Sequence, residues 1–228
     1  MNILAIDTSS VCASCALLKE DRIISEAAVS NGLVHSRSLM PMIEQCLQAA
    51  GTDAEEIDVF ACVAGPGSFT GVRIGVCAIK GMAQAFGKPC AAVNTLDCLR
   101  ENLPFAPLVC PIMDARRGQV YCAVYEGSRI LLNSGALALE ELLAFLKEKT
   151  CVFLGDGVAV HREAISATLK ERALFAPAHL NDTRAAAAAV LAKKAAEENK
   201  LISAAALEAI YLRKPQAERE YAAKHSQA

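Results

Sequence analysis

The 228-residue chain has no tryptophan, and aromatic residues make up only 5% of it. Any core must therefore be aliphatic, and 54% hydrophobic residues supply enough material for one large or two small cores. Neither sign of charge is in excess. Lys and Arg number 23 against 25 Asp and Glu, which leaves a formal net charge of -2 and a pI of about 6.1. A domain that grips nucleic acid through its phosphates is usually basic, so any service to RNA is expected to pass through another protein. No run approaches the ~18 uninterrupted apolar residues of a membrane span. Met1–Asp7 has no basic stretch leading into an apolar run and a cleavage site, so no secretion signal is expected and the reading is a cytosolic protein.

Metal and nucleophile chemistry are poorly provided for. His35, His161, His179 and His225 are scattered, with no pair at metal-ligand spacing. No Ser or Cys can be tied by sequence to a His and an acid, which removes support for a hydrolase triad. The ten cysteines lie mostly among Ala, Val and Leu. Cys12 and Cys15 alone have C-x-x-C spacing; in a strand they would point to opposite faces and could not share one metal. Reduced cysteines acting as small core hydrophobes are expected.

What is present is a repeated α/β pattern. Ile3–Ile6 reads as a buried strand ending at Asp7-Thr8-Ser9-Ser10, and Ala13–Leu18 and Ile23–Val29 as two more strands joined by a charged turn. A helix follows, capped by Ser38, with Leu39, Met42, Ile43, Cys46 and Leu47 on one face. Asp58–Ala64 is a strand that runs through Gly65-Pro66-Gly67-Ser68 into a helix from Thr70 to Phe86, and Cys90–Val93 is the next strand. Leu108–Met113, ending at Asp114, begins a similar series: the Val120–Tyr125 strand, a helix over 140–149, the Cys151–Leu154 strand and an Ala-rich helix over 183–198. The pattern predicts two related α/β domains, 1–102 and 103–212, followed by a polar, mobile tail over 213–228.

Three places carry candidate chemistry. Asp7, Thr8 and Ser9 stand at the carboxyl end of the first strand, where open α/β sheets bind ligands; an Asp that caps its own turn is the plainer explanation. Gly65–Gly71 leads into a helix amino terminus and could hold an anion or serve as a tight turn. It is not a Walker A loop, because no Lys stands in the required place. The helix after it gathers Arg73, Lys80 and Gln84 within roughly 40° of arc and leaves two apolar stripes. Val72, Val76, Ile79, Ala83 and Phe86 suit a sheet. Gly71, Gly75, Ala78 and Met82 suit close approach by another helix, in this chain or in a partner. The doublets Arg116-Arg117, Lys193-Lys194 and Arg213-Lys214 read as ordinary solvated surface.

Taken together, ILAIDTS (Ile3–Ser9), HSRSLMPMI (His35–Ile43), AGPGSFTGVRIG (Ala64–Gly75), PIMDARRGQVY (Pro111–Tyr121), GDG (Gly155–Gly157) and YLR (Tyr211–Arg213) resemble the TsaB, or YeaZ-like, family. They run in family order over nearly the whole chain. The resemblance implies the actin-like, sugar-kinase-like fold of two RNase H-type α/β domains. It also implies a role beside TsaD, the transferase that places a threonylcarbamoyl group on the adenosine beside the anticodon of tRNA. The TsaD family has an H-x-x-x-H metal motif where this chain reads Val93-Asn94-Thr95-Leu96-Asp97-Cys98-Leu99, so Thr95 and Leu99 replace the two histidines. Neither can serve as a Zn or Fe ligand in place of an imidazole.

The resemblance therefore implies a non-catalytic scaffold that pairs with a TsaD-type transferase through the helices of the first domain. It self-associates when alone and joins a TsaE-type ATPase in the assembled complex. Leu39, Met42, Ile43, Gly71, Gly75, Ala78 and Met82 are the expected contact residues, and Gly75→Glu is expected to abolish pairing while sparing the fold. No cofactor and no metal are expected, since the Asp7 loop lacks the glycine usual in ATP-binding relatives. A vestigial nucleotide site would consist of Asp7, Thr8, Ser9, Asp114, Gly155 and Gly157. The competing reading of the same residues is an active ATP-dependent kinase or ATPase of the superfamily.

Overall fold

Strand β1 (Asn2–Asp7) alternates its side chains between two apolar layers, and this organises the first half of the molecule. In the computed structural model, which describes residues 1–30 and 34–213, Leu4 and Ile6 face one cluster and Ile3 and Ala5 face another. β1 pairs antiparallel with β2 (Ala13–Lys19), which pairs with β3 (Arg22–Val29). On its other side β1 runs parallel to β4 (Val59–Gly65), and β4 to β5 (Cys90–Asn94). The sheet order is β3-β2-β1-β4-β5.

Helices α1 (His35–Ala49) and α2 (Phe69–Phe86) cover the Leu4 and Ile6 face. The bulky stripe of α2 packs as its spacing predicts: Val72, Val76, Ile79 and Ala83 are buried, and Phe86 stacks on Phe60 with ring centroids 6.0 Å apart. Ser68 caps α2 by accepting from the Gly71 amide at 3.2 Å, and Gly87 ends it at a φ of 62°. The start of α1 differs from expectation. The helix begins at His35, Ser38 is not its cap, and Pro41 lies inside it. Pro41 and Arg37 are both exposed, so the carbonyl that proline leaves without a helical donor meets water.

The second sheet repeats the first. β6 (Leu108–Asp114) takes the place of β1, with β7 (Gln119–Glu126) and β8 (Arg129–Ala138) antiparallel on one side. β9 (Cys151–Leu154) and β10 (Ala173–Phe175) lie parallel on the other, in the order β10-β9-β6-β7-β8. Two helices that follow β8 and β9, α4 (Leu139–Leu146) and α5 (Gly157–Leu169), cover the Cys110 and Ile112 face.

The opposite faces are covered by exchange. Helix α3 (Thr95–Glu101) follows β5, yet Leu96 and Leu99 pack with Val109, Met113, Ala123 and Tyr125 of the second sheet. Helix α6 (Ala185–Glu197) follows β10, yet Ala188, Ala189 and Ala192 pack on Ile3, Ala5, Ala61 and Val63 of the first. An alanine face lets α6 approach that sheet closely. Residues after α6 stay with the first unit: Ile202 bridges Cys90 in both directions, and the Ile210 amide donates to Ala64 O at 2.6 Å. The sequence reading assigned 103–212 to a second domain; 185–210 instead completes the first. The tail reading covers 213–228, of which 214–228 lie outside the described residues.

All ten cysteines are free thiols, nine buried and Cys77 exposed. Cys12 precedes β2 rather than lying in it, which corrects the strand reading of that pair.

Candidate functional site

The paired ends of β1 and β6 face each other across a cleft of about 510 Å³. From the first unit it is lined by Ser9, Ser10, Val11, His35, Gly67 and Ser68. From the second it is lined by Met113, Asp114, Ala115, Arg116, Tyr121 and Asp156. Asp7 and Asp114 thus hold the corresponding strand-end positions that their sequence contexts suggest.

Asp7 lies beneath the floor, fully buried. Its Oδ1 accepts from the Ser9 amide at 2.8 Å, while Oδ2 and the Ser9 hydroxyl have no hydrogen-bond partner among the described residues. Burial raises the Asp7 pKa to about 7, only partly offset by its bonds to Ser9 and Thr8. Asp156, not singled out in the sequence, accepts from the Asp114 amide at 3.3 Å, and burial raises its pKa as well. Asp114 lies 3.4 Å from Arg116 and 3.5 Å from His161. His35 is hydrogen-bonded to Ser10 O through Nε2 at 2.8 Å. The signal for Asp156 was present in its Gly155-Asp156-Gly157 setting, but a lone acid between glycines carries no direction.

The loop that leads into α2 is occupied by the protein itself. The Ser68 amide donates to Ser9 O at 2.7 Å, and the Gly71 amide is taken by Ser68 Oγ. Those are donors an anion would use at a helix start, so the tight-turn reading of the glycines describes this loop better. A Cβ on Gly67 would collide with Ser9 O, and one on Gly71 with Thr8 O. A Cβ on Gly155 would run into Ile112 O, and one on Gly157 would sit tightly against the Ile112 backbone, so this loop packs against β6.

The expected contact residues fare differently from one another. Leu39, Met42 and Ile43 are buried in the core of the first unit, because α1 turns its apolar stripe onto the sheet. Gly71 and Gly75 are buried against Thr8, whose hydroxyl donates to Gly71 O at 2.7 Å. These five are therefore not surface residues. Ala78 and Met82 are half-buried at the edge of the core. The outward face of α2 consists instead of Thr70, Arg73, Cys77, Gly81 and Gln84, at spacings of three and four. Beside it α1 exposes Met40, Pro41, Glu44 and Gln48.

Thr95 and Leu99 are both buried on α3, between the two units. Thr95 Oγ1 donates to Pro66 O at 2.5 Å, and Leu99 belongs to the apolar cluster beneath the second sheet. Among the described residues no group of three or more His, Cys, Asp and Glu side chains could hold a metal ion. No described helix is long and apolar enough to cross a membrane.

Comparison with known proteins gives concordant results. The family model for TsaD, tRNA N6-adenosine threonylcarbamoyltransferase, matches residues 30–221. The tRNA threonylcarbamoyladenosine biosynthesis protein TsaB of Bacillus subtilis is 35% identical over 201 residues, which cover 85% of this chain and 88% of that protein. The TsaB of Escherichia coli is also 35% identical, over 129 residues covering 55% of each. The solved YeaZ from Pseudomonas aeruginosa superposes with a TM-score of 0.80 at 28% identity, over 92% of this chain and 99% of that one. The hydroxyglutaryl-CoA dehydratase component A of Acidaminococcus fermentans, at a TM-score of 0.51 and 16% identity, shares the fold alone, over 86% of this chain and 99% of that one.

Proposed function

This chain belongs to the TsaB (YeaZ-like) family, and from that premise we propose that it is the non-catalytic partner subunit that binds and activates a TsaD-type transferase. Its family makes tRNA threonylcarbamoyladenosine, and the chain contributes to that modification without performing the transfer. The observation that carries this reading is the state of positions 95 and 99. A transferase that holds its metal on α3 needs two imidazoles there; this chain fills the same places with a buried hydroxyl bonded to Pro66 O and a packed leucine. Nor is a nucleotide needed: the donors at the start of α2 are used internally.

Pairing is assigned to the outward faces of α1 and α2. Met40, Pro41, Cys77 and Gly81 replace the buried residues of the first list, while Ala78 and Met82 flank the new stripe. When the transferase is absent, a second copy of this chain occupies the same face. A TsaE-type ATPase completes the assembly.

The test is gel filtration with light scattering on the chain, alone and mixed with the TsaD-type protein of the same genome. A self-associated chain that shifts to a one-to-one pair supports the reading. Two folded proteins that elute independently at micromolar concentrations would overturn it. ATP turnover by the isolated chain would favour the kinase or ATPase alternative.

A further inference from the structure

Two basic segments that the sequence separates by almost a hundred residues meet at one rim of the cleft. Arg213 Nη1 donates to Ala115 O at 2.8 Å and so joins the strap after α6 to the Arg116-Arg117 turn. Arg116, Arg117 and Gly118 all take left-handed backbone, with φ of 64°, 58° and 71°, and the two arginines stand in solvent. The Arg116 side chain is 87% exposed, with Asp114 at 3.4 Å as its ion-pair partner. Two residues before Arg213, the Tyr211 hydroxyl accepts from Arg73 Nε at 2.8 Å. The Arg73 guanidinium lies 3.8 Å above the Phe69 ring, and the rings of Phe69 and Tyr211 are 5.3 Å apart. Both residues stay exposed, at 40% and 43%. The whole of α2, from which Phe69 and Arg73 come, contains no acidic residue.

We propose that Phe69, Arg73, Arg116, Arg117, Tyr211 and Arg213 form a ledge that contacts RNA directly, with phosphates on the arginines and an unstacked base on the aromatic pair. The inference rests on the family role in tRNA modification and names which surface of this chain touches that substrate. A net charge of -2 does not oppose it, since phosphate contact depends on the charge within a Debye length, about 10 Å at 0.1 M salt. Exposed rings beside arginines are the composition with which proteins hold single-stranded nucleic acid, because every base offers a face to stack.

The experiment titrates a fluorescently labelled tRNA transcript with the full chain, alone and paired with its TsaD-type partner, across a range of salt. R116Q/R117Q should weaken binding about tenfold and lower the slope of log affinity against log salt by about two. F69L/Y211L should weaken it about tenfold and leave the salt slope unchanged. Light scattering should show all forms folded and equally able to pair. RNA affinity of both variants within about twofold of the parent would overturn the inference while leaving the subunit reading intact. Loss of pairing by F69L/Y211L, with RNA binding by the chain alone unaffected, would assign the ledge to a protein contact and equally overturn it. Failure of the parent chain to pair would count against the subunit reading alone, since the titration of the isolated chain still decides the RNA contact.

Discussion

A side chain placed on Gly75 would begin 2.6 Å from the hydroxyl of Thr8, so α2 rests on the end of β1 through the space a Cβ would need. That contact decides how the small-residue stripe is used. Gly75→Glu cannot test an interface, because its side chain would be driven into the core of the first unit. Gly75→Ala should cost about 1–3 kcal/mol by overpacking, and Thr8→Ala about 1 kcal/mol through the lost bond to Gly71 O. Thr8→Ala also removes the atom that Gly75→Ala meets, so urea unfolding of the double variant should show less than the summed loss. Strict additivity would mean the two residues are not in contact.

Asp7 gives stability a pH dependence of known sign. Its folded pKa, about 7, lies above the ordinary 3.8, so the folded state holds the proton more tightly than the unfolded chain does. The contribution is fully present below about pH 4 and is lost as pH rises through 7. Asp7→Asn keeps an acceptor for the Ser9 amide and removes the titration. Thermal melts should find this variant on the order of 10 °C more stable than the parent at pH 8 and level with it near pH 4. An equal difference at both pH values would show that Asp7 does not titrate in this range.

Positions 95 and 99 should not accept a metal site back. Leu99→Ala should cost about 2–5 kcal/mol, because Leu99 is buried between α3 and the second sheet. T95H/L99H should lower the melting temperature further and bind no stoichiometric zinc or iron on elemental analysis. A stable, metal-loaded T95H/L99H protein would mean that only two side chains separate this chain from its catalytic relatives.

Cys77 is the exposed thiol of ten, on the outward face of α2. A colorimetric thiol reagent should therefore titrate one group rapidly in the native chain and all ten in guanidinium. Adding the TsaD-type partner should slow that one reaction at least about tenfold if α2 is the pairing face, since the thiolate must be reached to react. Unchanged kinetics in a complex shown by light scattering to be intact would move the interface elsewhere.

Much of this protein was legible from periodicity and local chemistry. The unbroken apolar run Ile3–Ile6 and the 3.6-residue spacing of Val72, Val76, Ile79 and Ala83 placed β1 and α2 correctly, because one-dimensional pattern reports which residues are buried. The same pattern cannot say what does the burying. Leu39, Met42 and Ile43 form as good a stripe for a partner as for a sheet, and only the fold shows that the sheet has them. The seven-residue α3 was too short to show a period, and it carries the core contact between the units. The alanine face of α6 looked like the end of a second domain, since nothing local records that the chain crosses back to the first sheet. The ledge was the least legible feature. Phe69, Arg116 and Tyr211 are ordinary surface residues in sequence, and they become one surface only when the Ile210 and Arg213 contacts fold the strap across the cleft. Sequence thus determined most of the elements and the faces they bury. Tertiary structure alone decided which faces were left for other molecules, because a surface is whatever remains after long-range packing has taken its share.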